Sequence, residues 1–391
     1  MFDRTATSEF KITRHARIDE IAAGDWNNLV PSHYPFLRHE YLTALEQTKC
    51  VGHRTGWQPR HICAFREGQL VGAMPLYLKT HSRGEYVFDI SWADAYARHG
   101  IPYYPKLVNA IPFTPVPGSR MLSLHDARNR SQIETQLVDA AIEYAQDEDI
   151  SSWHCLFPSD EQRLALADTE SLLIRKSYRF LWQSQNWTDF DAFLGAMTAS
   201  KRKKAKRERR RIAESGVRIE SLSGAEITPD LWANLYPLYA RTFLIRGTHP
   251  YMNPSFFEQI SRTMGEQMRI FVARHHGDIV ACNISFEDQD TLYGRYWGSR
   301  EDYHSLHFEL CYYQGIEYCL ASNRSFFDPG TQGEHKLSRG FLPVSDWSAH
   351  WIGDRRFRAA IGDFVHQEQA LVDRYLAELR EHSPFRQDGT P

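Results

Sequence analysis

Two segments of the 391-residue chain repeat one order of elements, and that order narrows the fold more than any other feature. Residues 61–92, HICAFREGQLVGAMPLYLKTHSRGEYVFDISW, read as a short apolar strand, a turn at REGQ, a longer strand, a polar break and an aromatic-rich strand. Residues 269–297, RIFVARHHGDIVACNISFEDQDTLYGRYW, give the same order, with HHGD as the turn and EDQD as the break. Alternating β-branched and aromatic residues between Gly/Asp turns are what an antiparallel meander requires. Each meander precedes a helix and a further strand: SQIETQLVDAAIEYAQDED then SWHCLFP in the first copy, LHFELCYYQGIEYCLASN then SFFDPG in the second.

The pattern predicts a mixed α/β chain of the α+β class with two like domains, 1–185 and 186–391, each a mostly antiparallel sheet flanked by helices. The boundary is expected near Ser184 to Thr188, ahead of a short helix capped by Thr188 or Asp189. The first copy carries an insertion over about 93–120 whose five prolines predict an irregular segment. The segment RRFRAAIGDFVHQEQALVDRYLAELREHSP predicts one or two terminal helices.

Hydrophobic residues make up 42% of the chain, enough to fill the cores of two domains. Six scattered cysteines with no CxxC pair read as reduced core thiols, and no metal site is expected. The N-terminal MFDRTATSEFKITRH has no signal-like apolar run, and no stretch approaches the roughly 18 apolar residues of a membrane span. A cytoplasmic protein is the expectation. Net charge is −3, yet residues 201–211 hold nine Lys/Arg and one Glu, so the remainder carries −11. Such concentrated charge points to a local anionic partner. As a helix capped by Ser200 and stopped by Gly216, the run would rest on Ala205, Ile212 and Ala213 and present Arg202, Lys203, Lys206, Arg209 and Arg210 to phosphates.

The meander–helix–strand order resembles the core of the GNAT acyltransferase superfamily, in which an acyl donor lies between splayed middle strands. A tandem pair of such cores resembles the Fem-type peptidoglycan aminoacyltransferases, and SKRKKAKRERRRIAESGVRIE is similar to the basic helix and strand that open their second domain. WADAYARHGIPYYPKL, PFTPVPG, LYGRYWG, FELCYYQGIEY and QGEHKLSRGFLP resemble, more closely still, the bacterial FemAB-like peptidoglycan biosynthesis or recognition family. The resemblance implies tandem GNAT-like domains, an N-acyltransferase, aminoacyl-tRNA as co-substrate, and an amine of a cell-wall precursor peptide as acceptor. No tightly bound cofactor is implied. GSREDYHSLHFEL lacks the Gly-rich turn that holds the pyrophosphate of acyl-CoA, so acyl-CoA is the disfavoured donor. The family's Lys-Gly-Phe segment meets two registers here, since Lys336 precedes Gly340 by four residues and Arg339 by one.

Acyl transfer to an amine needs a deprotonated nucleophile and a stabilised oxyanion. GEHKLSRG offers Lys336 or Arg339 for the oxyanion or a phosphate, and Glu334 or His335 for proton transfer. On the helix, Glu309 could orient the amine or be a buried acid satisfied by Arg295 or a Tyr hydroxyl, with His307 and Tyr312 beside it. Arg295, Tyr296, Gln332 and Arg339 are expected to bind substrate. Trp92, Asp94 and Tyr96 of the first copy could wall a sugar or peptide acceptor, or simply pack. No spacing specifies a covalent nucleophile, so direct transfer is expected. The alternatives are a non-catalytic binder of peptidoglycan precursors and a nucleic-acid-binding protein working through the basic helix; DNA is not an expected partner, and the oligomeric state is left open.

Overall fold

The computed structural model describes residues 10–124, 129–301, 303–331 and 333–386. It divides into two compact units, Met1–Lys176 with Trp347–Gln369, and Ser177–Asp346 with Ala370–Pro391. The division falls at 176/177, ahead of the boundary expected near Ser184, and the first unit also takes back Trp347–Gln369. The cause is visible in the chain: Leu173–Gln183 and Leu342–Ile352 are single strands of eleven residues, and each serves both units.

The second unit follows the expected order. Met268–His275, Asp278–Glu287 and Thr291–Ser299 form the antiparallel meander, with Arg218–Ser223 on its outer edge. Helices Pro229–Leu244 and Pro254–Met264 begin at side-chain caps from Thr228 and Asn253 with Pro at the first turn, which supplies the missing acceptor and a preset φ. Phe326–Asp328 then pairs in parallel with Thr291–Tyr293. Asp189, one of the two expected caps, accepts from Ala192 N and starts Phe190–Ala196. Gly298 lets a helix lie directly on the sheet: a Cβ there would sit 2.1 Å from Leu238 O.

The first unit keeps the order but divides it between two sheets: Gln69–Met74 pairs with His61–Arg66 and Leu122–Ser123, whereas Leu76–Lys79 pairs with Trp57–Pro59 and Lys106–Asn109. His61–Arg66, Gln69–Met74 and Leu76–Lys79 are strands, but the expected aromatic strand near residues 85–92 is absent; Ile90–Arg98 is a helix. Lys106–Asn109, from the segment expected to be irregular, takes that place between Leu76–Lys79 and Ser152–Leu156. The reason lies in charge: Glu85 and Asp89 are buried and both meet the fully buried Lys106, at 2.7 Å for Glu85. Burial alone would neutralise these groups. Lys106 instead pulls Asp89 below the usual carboxylate range, and the two acids raise Lys106 above the ordinary lysine value, while burial still pushes Glu85 up to about 7. On an extended strand Glu85 and Asp89 would lie about 13 Å apart, too far for both to reach one ammonium. The first-unit core packs helix Arg130–Asp147 onto the strands through Ile133, Leu137 and Ala141. A single helix, Arg355–Glu381, closes the described chain.

Deep in this unit His154 and His350 face each other across adjacent strands, Nδ1 to Nδ1 at 2.6 Å, so one ring donates and the other accepts. Ser152 and Ser348 hold the outer nitrogens at 2.8 Å each. Burial holds both imidazoles neutral well below the usual histidine range. Unfolded imidazoles bind protons near pH 6.5, folded ones only at much lower pH, so stability is lost as pH falls through 6.5. We expect about 1.4 kcal/mol per imidazole to be lost by pH 5.5. Urea unfolding between pH 7 and 5.5 checks this, and a midpoint that stays flat contradicts it.

Candidate active site

In the second unit the parallel ladder between Thr291–Ser299 and Phe326–Asp328 has three pairs and ends at Tyr293/Asp328. The strand Thr291–Ser299 runs on beyond the ladder through a register shift at Arg295, since Gly294 pairs with Ser285 and Tyr296 with Ile284, and past the shift Tyr296 and Trp297 face opposite ways. Tyr296 packs against Tyr239 and Phe257 at 5.1 and 6.0 Å, so this residue, expected to bind substrate, belongs to the core of the opposite face. Arg295 lies close enough to Lys336 to lower the affinity of its amine for a proton.

The segment GEHKLSRG is a tight helical turn, Glu334–Arg339, between two glycines with φ of 113° and 98°. Gly340 is required twice over, by that φ and because a Cβ would meet the Phe193 ring at 2.8 Å. The turn drives Lys336 inward. Its ammonium donates to Gly330 O at 2.6 Å, and burial, only partly offset by Asp328, brings its pKa down to about 8. Arg339 is 1% exposed and is already engaged: it forks onto Glu208 at 2.7 and 3.1 Å, donates to His335 O at 2.7 Å, and lies 3.4 Å over the Phe308 ring. Lys336 rather than Arg339 is thus the cation of this turn that meets no carboxylate in hydrogen-bond contact among the described residues. Glu334 is exposed and accepts from the Tyr375 hydroxyl of the terminal helix, whereas the His335 ring meets the Tyr312 hydroxyl at 2.7 Å. Gln332 lies outside the described residues.

The helix carrying FELCYYQGIEY opens with Leu306–Phe308, passes through a π turn at Glu309–Tyr313 and continues as Gln314–Ala321. An extra residue in such a turn redistributes the flanking side chains around the axis. His307 and Tyr312 take one side: the His307 ring contacts Trp297 at 5.2 Å, Tyr312 at 5.4 Å and His335 at 6.0 Å. Burial and the nearby His335, Arg339 and Lys336 lower the pKa of His307 to about 4, and burial raises the Tyr312 phenol far above its ordinary value. Partial burial and the same cations also lower His335. At pH 7 these are two neutral imidazoles and a neutral phenol beside an ammonium.

Glu309 and Tyr313 take the other side, toward the basic helix. Glu309 accepts from Arg209 at 3.1 Å and Gln314 at 2.8 Å, both at Oε1, so Arg209 stands in the place expected of Arg295, while Oε2 is buried with no hydrogen-bond partner among the described residues. Its carboxyl still titrates above the usual range, because burial outweighs Arg209. The basic helix spans Ala199–Glu214 and begins at Thr198, not Ser200. Its buried residues are Ala205, Glu208 and Ile212, while Ala213 is exposed. Arg209 is bound to Glu309 and to Glu317 at 2.7 Å, and Arg202 lies half-buried with a long contact to Gly195 O. Lys203, Lys206 and Arg210 are exposed, with only loose contacts of Lys206 to Asp191 and Arg210 to Glu214, at 3.7 and 3.8 Å. Five arginines and lysines expected to hold phosphate thus reduce to three with their charge turned to solvent.

Trp92 and Tyr96 of the first unit are buried, Trp92 against His350 and Tyr96 stacked 3.8 Å on Phe357, and Asp94 is exposed. They pack rather than form a wall. The first unit also differs where its parallel pair ends at Asn109/Cys155. Just beyond that end the buried Arg120 fills the space and donates to Leu156 O, Val116 O and Ser119 O at 2.7, 2.6 and 3.2 Å. The residues that sequence reasoning missed are Glu208, Lys204, which reaches Ser338 at 3.4 Å, and Asp328, which receives Arg179 at 3.1 Å. Glu208 had a signal, as the single acid in the basic run.

A meander, helix and parallel strand recur in both units, a mixed α/β arrangement of mostly antiparallel strands and helices, and in the second unit they part over a buried lysine. The chain belongs to the FemAB-like family, whose model, described as peptidoglycan biosynthesis/recognition, matches residues 17–387. No curated protein matches it in sequence. Among solved structures, the C-terminal domain of a putative lysylphosphatidylglycerol synthetase from Agrobacterium fabrum is similar at 12% identity and TM-score 0.54, over 88% of this chain and 96% of that one. FemX is similar at 12% identity and TM-score 0.52, over 90% and 100%. At these identities the likeness concerns the fold.

The Glu208–Arg339 pair should carry the geometry of the turn. Replacing Glu208 by Ala strands a buried guanidinium, and unfolding measurements should show a loss of about 3–5 kcal/mol; a loss under about 1 kcal/mol, the range of an exposed pair, would contradict the pairing.

Proposed function

We propose that the chain transfers an aminoacyl or other activated acyl group to an amine of a cell-wall precursor, with aminoacyl-tRNA as donor, and that the gap beyond Tyr293/Asp328 holds the reacting groups. The observation that carries this reading is the convergence of Arg295, Trp297, His307, Tyr312, His335 and Lys336 at that gap. Membership of the FemAB-like family supports a peptidoglycan-related aminoacyl transferase at the level of the family.

In this mechanism Lys336 stabilises the oxyanion that forms when the amine attacks the acyl carbonyl, a role suited to a cation held in place before the reaction. His335, neutral at pH 7, takes the proton from the attacking amine and returns it to the departing ribose oxygen of the donor as the tetrahedral intermediate collapses to the amide, while the Tyr312 hydroxyl fixes its ring. Arg295 adds positive charge beside Lys336. Glu309, whose Oε1 is held by Arg209 and Gln314, positions the basic helix in this reading rather than the amine. Lys203, Lys206 and Arg210 contact the phosphates of the donor.

Incubation with labelled aminoacyl-tRNA and with acyl-CoA, each with precursor-peptide amines, tests the reading; a well-folded sample that consumes neither ends it. Lys336→Met should lower kcat by about 10²–10³. Because the ammonium is the active form, the rate should fall as pH rises through about 8. Lys336→Arg, which stays charged, should remove that falling limb from the pH profile. Converting Lys203, Lys206 and Arg210 together to Glu should weaken donor binding and flatten its salt dependence by about two units of log–log slope, about 0.7 for each phosphate no longer neutralised.

A further inference from the structure

Helix Pro229–Leu244 ends in a way that leaves two large apolar side chains in water. Gly247, at φ 69°, donates to Leu244 O at 3.0 Å and Thr248 to Phe243 O at 3.1 Å, the paired bonds of a Schellman stop. Phe243 turns inward and meets Tyr251 at 5.2 Å, whereas Leu244 and Ile245 remain 58% and 70% exposed on a closed, well-bonded helix end. Arg241 and Arg246 flank them and are exposed. Arg300, which meets Asp278 at 3.7 Å in an exposed pair, completes the ring. Ala233, Pro237 and Leu238 continue the apolar surface along a shallow groove of about 630 Å³ that also includes Arg241 and Arg300.

A projecting apolar tip surrounded by arginines matches a bilayer surface with anionic headgroups. The two aliphatic side chains enter the acyl boundary while the arginines stay at the level of the phosphates. The tip is narrow for a protein interface, which needs roughly 800 Å² a side and a buried aromatic anchor. Thr242 donates to Trp297 O at 2.7 Å, so the same helix end rests on the strand that carries Arg295 and Trp297.

We infer that the helix end around Leu244 and Ile245, with Arg241, Arg246 and Arg300, docks the second unit on anionic lipid surfaces. The surface acts independently of the transfer chemistry. Among the described residues no helix is long and apolar enough to cross a membrane, so docking here is peripheral.

Sedimentation of the full chain with vesicles of phosphatidylglycerol and phosphatidylcholine, against vesicles of phosphatidylcholine alone, tests it. Binding should need the anionic lipid. Leu244→Ser with Ile245→Ser, both on the surface, should weaken it at least about tenfold with the unfolding midpoint unchanged. Arg241→Gln with Arg246→Gln should weaken it by about 25-fold, roughly fivefold per arginine. Neutralising Lys203, Lys206 and Arg210 controls for the basic helix and should leave the dependence on Leu244 and Ile245 in place. The inference is overturned if the Leu244/Ile245 variant binds like the wild type, if vesicles are not bound at all, or if millimolar inorganic phosphate abolishes binding, which would mark a free-anion site. It is equally overturned if that variant changes the mass in sedimentation equilibrium while vesicle binding stays the same, since the tip would then pair two copies of the chain.

Discussion

Arg339 and Glu208 face each other with almost no access to water, and a pair of that kind persists only when every remaining donor and acceptor is met. Here the guanidinium also serves the His335 carbonyl and covers the Phe308 ring, while the carboxylate also receives the Tyr313 hydroxyl at 2.6 Å. One interaction therefore ties three elements, the basic helix, the π-turn helix and the glycine-bounded turn. His335 and Lys336 owe their positions to this knot, because their backbone lies inside the turn that Arg339 anchors. The basic helix consequently has an inner face of fixed ion pairs, Glu208 with Arg339 and Arg209 with Glu309, and an outer face of solvent-facing lysines and arginines.

That division explains how a run with nine positive charges can be both structural and available. Local sequence shows charge density but not direction, and the helical period selects which residues turn inward only once the partner surface is known. Arg209 and Arg210 are neighbours of the same type, and one is bound to two carboxylates while the other faces solvent. The lone acid was the clue. A single Glu among nine cations is unlike a solvated helix, in which acids are usually interleaved.

Much of the second unit was legible, since its meander strands alternate and its turns carry Gly or Asp, but the two helices ahead of the meander, Pro229–Leu244 and Pro254–Met264, fall outside the repeated pattern. The residues at its gap were legible in kind: Lys336, His335, His307 and Tyr312 come together, although Tyr296 and Glu309 point elsewhere. The strand past the register shift at Arg295 decided the first, since Tyr296 there faces Tyr239 and Trp297 faces His307. A π turn decided the second, because no spacing rule in the sequence reveals where a helix gains a residue. The first unit was read less well. Residues 85–92 have the aromatic content of a strand, yet the buried lysine at 106 draws Glu85 and Asp89 together, a long-range demand that overrides local pattern. Trp92 and Tyr96 look like ligand-binding aromatics in sequence and are core in the structure, a distinction that burial alone makes.

The early end of the ladder between Thr291–Ser299 and Phe326–Asp328 leaves more than space. Beyond Tyr293 the strand has lost its parallel partner, yet Thr242 still holds Trp297 O at 2.7 Å. A register that stops after three pairs therefore sets how far along the strand the sheet's packing reaches, and Arg295 and Trp297 fall past that limit.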